Sequence, residues 1–186
     1  MNKEDKTVKD RKYLIIVDMQ KDFIDGALGT KEAEAIVPAA AAYIRACREA
    51  GYTVIATLDT HGENYMETAE GRKLPVPHCI RGTEGWALNP VIREAAGDCL
   101  LLEKPTFGSV RLPEIIAGQL ESGDSLTIDL IGLCTDICVV SNTLLLKARF
   151  PEAEIRVKTD CCAGVTPEKH RAALETMASC QIDLIP

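Results

Sequence analysis

The chain alternates short apolar runs with amphipathic segments. Tyr13–Val17 (YLIIV) is continuously apolar and too short for a helix, so it predicts a strand buried on both faces. Val37–Ala50 is rich in alanine and sets Ala40, Ile44 and Cys47 at helical spacing, with Gly51 closing it as a C-terminal cap. Thr53–Thr57 (TVIAT), Cys99–Glu103 (CLLLE), Ser125–Ile131 and Glu154–Thr159 predict further strands, and Gln181–Leu184 a short last one. Helices are predicted over Asn89–Ala96, Pro113–Gly118, Ile137–Ala148 and Pro167–Ser179, with a turn at Gly132–Asp136. Asp59–Trp86 reads as one long irregular stretch, broken near Pro75, Pro77 and Gly82. A loop of that length in a small domain is usually functional.

Alternation of this kind predicts an α/β fold. The expected form is a three-layer α/β/α arrangement, with helices on both faces of a mostly parallel, roughly six-stranded sheet. In such sheets ligands bind beyond the carboxyl ends of the strands. Asp18 follows the first strand, Asp59 the second and Lys104 the third, and Cys138 comes after the fourth. Separate strands therefore deliver several chemically capable side chains to one edge, which says more than any of those residues alone.

Composition narrows the class. The 186 residues suit a single domain, read as residues 13–186 after a flexible N-terminal tail over residues 1–12. Hydrophobic residues make up 46% and charged residues 26%, as in a soluble globular protein, while only 4% aromatics requires an aliphatic core. The formal charge of -7 argues against a general nucleic-acid surface, which needs excess Lys and Arg. No run approaches the ~18 apolar residues of a membrane span, and the charged start lacks the features of a secretion signal. The expected location is cytoplasmic, where the eight cysteines are mostly thiols and mostly small core residues. Cys134 and Cys138 are spaced CxxxC with no second pair, which does not make a cysteine zinc site. No GxGxxG or GxxxxGK[ST] occurs to cradle a nucleotide phosphate.

Cys138 lies in GLCTDICV, where a strand turns sharply into a helix. A thiol in the first turn of a helix feels the positive end of the dipole, which favours thiolate. The N–H groups of Cys134 and Cys138 in that turn are candidates for an oxyanion hole. Asp18 in VDMQKDF directly follows an apolar strand, where a carboxylate is costly unless solvated or paired, and is the candidate base. Lys104 would stabilise both the carboxylate and the thiolate. Each has a plainer alternative: a packed core thiol, a helix cap and a surface lysine. Asp59 and His61 in DTH, with His78 in PVPHC, are donors suited to Zn²⁺, Mn²⁺ or Fe²⁺, although a D-x-H alone is usually a polar loop. His170 is expected to be an exposed helix residue.

The segments VDMQKDF, DTH, PHCIRGTEGW, EKPTFGS and GLCTDICV, in this order, resemble the isochorismatase-like cysteine hydrolases, and among them the nicotinamidases. The resemblance runs from about Tyr13 to Leu184. It implies an Asp18–Lys104–Cys138 triad and a cis peptide between Leu133 and Cys134. It also implies a divalent metal, zinc first with Mn or Fe as alternatives, held by Asp59, His61 and His78. A fourth ligand would come from Glu67 or Glu70, with Glu70 preferred. The implied reaction is hydrolysis of a small-molecule amide, nicotinamide foremost, through a thioacyl intermediate, in a homo-oligomer. Phe23 and Leu133 would line the pocket. One departure stands out: the aromatic that nicotinamidases usually carry shortly before the histidine is replaced by Leu74 and Pro75, and Trp86 is a possible substitute. The rival readings are a family hydrolase of another amide, ureide or carbamoyl compound, and a catalytically silent α/β binding protein.

Overall fold

The computed structural model describes residues 9–186. Its strands are β1 (Asp10–Val17), β2 (Thr53–Asp59), β3 (Leu100–Lys104), β4 (Ser125–Leu133), β5 (Glu154–Ala163) and β6 (Asp183–Ile185). They form one sheet of six strands, all pairs parallel, in the order β3-β2-β1-β4-β5-β6. The helices are α1 (Lys21–Ile24), α2 (Lys31–Glu49), α3 (Pro90–Ala96), α4 (Arg111–Ala117), α5 (Val140–Arg149) and α6 (Pro167–Ser179). No helix among the described residues is long and apolar enough to cross a membrane.

The continuous apolar run of β1 is explained by two cores, one on each face of the sheet. Leu14 and Ile16 pack with Ile24 of α1, Ile44 of α2 and Ile92 of α3. Tyr13, Ile15 and Val17 enter the other cluster, with Ile116 of α4, Leu146 of α5 and Met177 of α6. Successive strand side chains point to opposite faces, so a strand covered on both sides must be apolar at every position.

The element boundaries differ from expectation in physically simple ways. β1 begins at Asp10, because polar residues at the sheet's lower end still pair along β4. Residues 1–8, most of the expected tail, lie outside the described residues. α2 starts at Lys31 rather than Val37, because Thr30 caps it by accepting the Ala33 N–H at 3.0 Å. β4 continues through Gly132 to Leu133, two residues past the expected end, and β5 through Ala163. Gly132 has a φ of 121° beside Val17, where a Cβ would collide with the Val17 carbonyl. Only glycine lets β4 run that close to the end of β1.

The strand order reverses around β1 and β4, with β2 and β3 on one side and β5 and β6 on the other. Such a switch point leaves a crevice at the carboxyl ends of the two central strands, because their connections leave in opposite directions.

Candidate active site

Asp18 is the first residue after β1 and is wholly buried, with a φ of 47°. Thr57 of β2 donates to its Oδ1 at 2.6 Å, and the Asp18 N–H donates to Thr57 Oγ1 at 3.2 Å. Lys104, the last residue of β3 and 1% exposed, brings its Nζ to 2.6 Å from Asp18 Oδ2. That short ionic contact places the ammonium directly on Oδ2, while Oδ1 is held by Thr57. Lys104 Nζ also lies 3.5 Å from Cys138 Sγ and 3.4 Å from Asp59 Oδ1. The residues marked in the sequence at positions 18, 104 and 138 thus meet around one ammonium.

The nucleophile turn is built differently from the expected helical first turn. The Leu133–Cys134 peptide is cis. One turn of π-helix, Thr135–Val139, follows, and α5 begins only at Val140. The Cys134 carbonyl accepts from the N–H groups of Ile137 at 3.0 Å and Val139 at 3.1 Å, which folds the turn back over its start. Cys134 and Cys138 both line the cavity described below.

Electrostatics at the site run against the pull toward thiolate expected of a helix first turn. Burial pushes the Cys138 thiol well above its ordinary value, and the Asp18 charge adds to this, against a smaller opposing pull from Lys104. The Cys134 thiol is likewise pushed up, to about 12, by burial. Burial also raises Asp18, which Lys104 only partly offsets, and a raised carboxylate is a stronger base. Lys104 moves upward despite its own burial, because Asp18, Cys138 and Asp59 surround it, so it remains an ammonium. Burial thus works against ionisation of the cysteine, and the carboxylate beside it is the group placed to take its proton.

Asp59, His61, Glu70 and His78 form a second cluster, each offering one donor atom within 4.8 Å of the others. Asp59 Oδ2 lies 2.9 Å from His61 Nε2 and 3.5 Å from His78 Nε2, and Glu70 Oε1 lies 3.8 Å from both. Zinc with bonds of ~2.0–2.1 Å spaces tetrahedral ligands about 3.4 Å apart, so this donor set fits a small divalent ion. The His78 Nδ1 is taken by the Val76 carbonyl at 2.8 Å, which leaves Nε2 for a ligand. Burial alone would raise Asp59, but His61, His78 and Lys104 hold it well below the ordinary carboxylate range. Glu67, the other candidate for a fourth donor, is exposed and stands outside the cluster.

Both clusters open on one cavity of about 520 Å³, which Asp59, Glu70, His78, Cys134 and Cys138 help to line. Phe23 and Leu133 line it as well. Trp86 does not: it packs against the core, and its Nε1 donates to Thr60 Oγ1 at 2.9 Å. His170 is half-buried rather than exposed, with Nδ1 2.8 Å from Thr135 Oγ1 under the nucleophile turn.

Sequence reasoning missed several buried supports. Gln20 accepts the Asp59 N–H at 2.7 Å and donates to the carbonyls of Asp59 at 2.9 Å and Trp86 at 2.7 Å, which ties the donor loop to β1. Asp22 accepts the Cys79 N–H at 2.8 Å, beside His78. Both stand in VDMQKDF, two residues apart in a segment whose polar density was the available signal. Thr57 and Asn142, whose Nδ2 donates to the Cys138 carbonyl at 2.8 Å, gave none, since each looks like an ordinary strand or helix residue.

A doubly covered parallel sheet with a buried Asp–Lys–Cys cluster at its switch point defines a three-layer α/β/α cysteine hydrolase. The chain belongs to the isochorismatase family: the family's "Isochorismatase domain" matches residues 12–185. The Mycobacterium tuberculosis nicotinamidase/pyrazinamidase is 30% identical over 186 residues, spanning 92% of this chain and 97% of that protein. Among solved structures, the Bacillus subtilis nicotinamidase/pyrazinamidase superposes with a TM-score of 0.78 at 26% identity, covering 95% of this chain and 100% of the other. The Pyrococcus horikoshii pyrazinamidase in complex with zinc gives 0.74 at 28% identity, covering 94% and 98%.

Proposed function

We propose that this chain hydrolyses nicotinamide to nicotinate and ammonia with Cys138 as nucleophile. The observation that carries the reading is the meeting of Asp18, Lys104 and Cys138 beside the Asp59–His61–Glu70–His78 cluster on one cavity. The similarity to the nicotinamidases and pyrazinamidases named above supports the choice of substrate.

Asp18, paired with Lys104, takes the Cys138 proton as the sulfur attacks the amide carbonyl, so no solvated thiolate has to form in advance. The Cys134 and Cys138 N–H groups hold the oxyanion in this reading. Asp18 returns the proton to the leaving nitrogen, ammonia departs, and a thioester to Cys138 remains. Water deprotonated by Asp18 then attacks that thioester, and the proton passes back to the thiol as nicotinate is released. Lys104 stays cationic throughout and compensates the negative charge that moves between Asp18, Cys138 and the oxyanion. Asp59, His61, Glu70 and His78 would hold a divalent ion, zinc by preference. When bound, that ion supplies an anchoring point for a ring nitrogen or an ordered water. The same reading takes residues 13–186 as the hydrolase domain of a cytoplasmic homo-oligomer.

Ammonia release from nicotinamide, measured on wild type and Cys138→Ala with metal content determined on the same samples, tests this. An alanine variant with full activity would rule out the covalent route.

A further inference from the structure

His170 is the histidine that neither the triad nor the donor cluster uses. Its half-buried place on α6 follows from helical spacing. His170, Ala173 and Met177 stand at i, i+3 and i+7, and the latter two are buried. The face of α6 that meets the nucleophile turn therefore carries the imidazole. Its backbone is set early in the helix. Pro167 opens α6, the Thr166 side chain accepts the Lys169 N–H at 3.3 Å, and the His170 N–H donates to the Thr166 carbonyl at 2.9 Å.

Thr135, the first residue of the π-helical turn, lies between Cys134 and Cys138 and is wholly buried. Its Oγ1 stands 2.8 Å from His170 Nδ1. A threonine hydroxyl donates or accepts, so either imidazole tautomer can make this bond. The next residue is held from the same side: Asp136 Oδ1 accepts the Val165 N–H at 2.9 Å. Gly164 permits that approach, since a Cβ there would stand 2.7 Å from Asp136 Oδ1 and 2.9 Å from the His170 nitrogen. The bonds from Ile137 and Val139 to the Cys134 carbonyl fix the shape of the turn. They do not fix where the turn stands relative to Lys104, which belongs to a different strand. Ties to a neighbouring element supply that reference, and His170 provides one through a side chain.

We propose that His170, acting through Thr135, is a positioning residue for the nucleophile turn. It keeps the Cys134 N–H and the Cys138 sulfur in register with Asp18 and Lys104 while the amide is attacked. The inference rests on the hydrolase reading above. Neither His170 nor Thr135 is among the described residues that line the cavity. A loss of this tie is therefore felt in the chemical step rather than in substrate binding.

The test compares wild type, Thr135→Val, His170→Leu, their double variant and His170→Asn. It measures kcat and KM for nicotinamide, thermal melting, and the rate at which iodoacetamide alkylates the Cys138 peptide. Thr135→Val and His170→Leu are each expected to lower kcat about ten- to a hundredfold, with KM within about twofold. The double variant is no slower than the slower single one, because both remove the same bond, whereas independent effects would multiply. His170→Asn recovers most of kcat, since an amide atom stands where Nδ1 stood. Alkylation rates follow the same order. A wild-type kcat per folded molecule in Thr135→Val overturns the role, even if melting falls, and so does His170→Asn behaving like His170→Leu. Wild type inert to nicotinamide defeats the hydrolase reading alone. The positioning role is then decided by alkylation of Cys138, and equal rates in wild type and every variant overturn it.

Discussion

Asp18 and Asp129 stand on or just past paired central strands, and both are wholly buried. Their surroundings differ in one respect that decides their roles. Asp129, midway along β4, has both oxygens engaged: Arg156 Nε donates to Oδ1 at 2.6 Å, and Arg156 Nη2 and the Tyr43 hydroxyl donate to Oδ2 at 2.9 and 2.7 Å. Asp18, at the carboxyl edge, accepts from Thr57 at Oδ1 and is ion-paired at Oδ2 with Lys104, whose Nζ also lies 3.5 Å from Cys138 Sγ. The partners of Asp129 meet no reactive group, so that pair is a structural rivet, whereas the ammonium beside Asp18 is shared with a thiol. The cavities follow the same division. One of about 740 Å³ lies toward the amino ends of the strands and is lined by paired groups such as Arg156 and Asp124. Another, about 520 Å³, lies at the carboxyl edge beside Cys138 and the Asp59, Glu70 and His78 donors. Position at the carboxyl ends of the strands, rather than size, marks the one that carries the chemistry.

The contrast can be broken most sharply at the carboxyl edge. Cys138→Ala is expected to lower kcat by about 10⁴-fold or more in ammonia-release assays, with melting close to wild type, because a small buried thiol is replaced by a small apolar group. Asp18→Asn comes next, with kcat/KM falling by about 10³-fold as the base is lost. In wild type the acid limb of the pH–kcat/KM profile should lie above the ordinary carboxylate range: burial raises Asp18, and activity disappears as pH drops through that raised value. A limb at an ordinary carboxylate position would mean that Asp18 is not the base.

At the structural aspartate the same substitution should act in the opposite manner. Asp129→Asn leaves Arg156 facing an amide and costs about 2–3 kcal/mol in chemical denaturation, less than a fully buried pair because Arg156 is part exposed. Activity per folded molecule is expected to remain unchanged. His78→Ala should lower retained metal and activity together by about 10–100-fold, read by metal analysis and turnover on one sample. The smallest effect is expected at Asp124, which backbone N–H groups of Glu121 and Lys9 and the Arg11 side chain hold down at about 2. A depressed carboxylate stabilises the fold above its unfolded value, and this is lost as pH falls toward 2. Asp124→Asn should therefore flatten the melting-temperature profile between about pH 4 and pH 2 and leave turnover alone.

The sequence by itself determined the strand–helix alternation, the doubly buried sheet and the edge to which Asp18, Asp59, Lys104 and Cys138 are delivered. It could do so because the strand period and the doubly apolar β1 are local properties of the chain. It also marked the donor histidines, since His61 and His78 crowd one loop. What it left to the tertiary structure were quantities set by neighbours distant in the chain. Glu70 rather than Glu67 joins the cluster because of how the loop folds back on Asp59. Burial of the nucleophile turn pushes the Cys138 thiol upward, and the nearby Lys104 ammonium pulls the other way. The ion pair of Asp18 with Lys104 and its approach to the Cys138 sulfur exist only where separate elements meet. Periodicity reports which face a residue occupies, but hydrogen-bond completeness depends on which other residues reach that face, and this is decided when the chain packs.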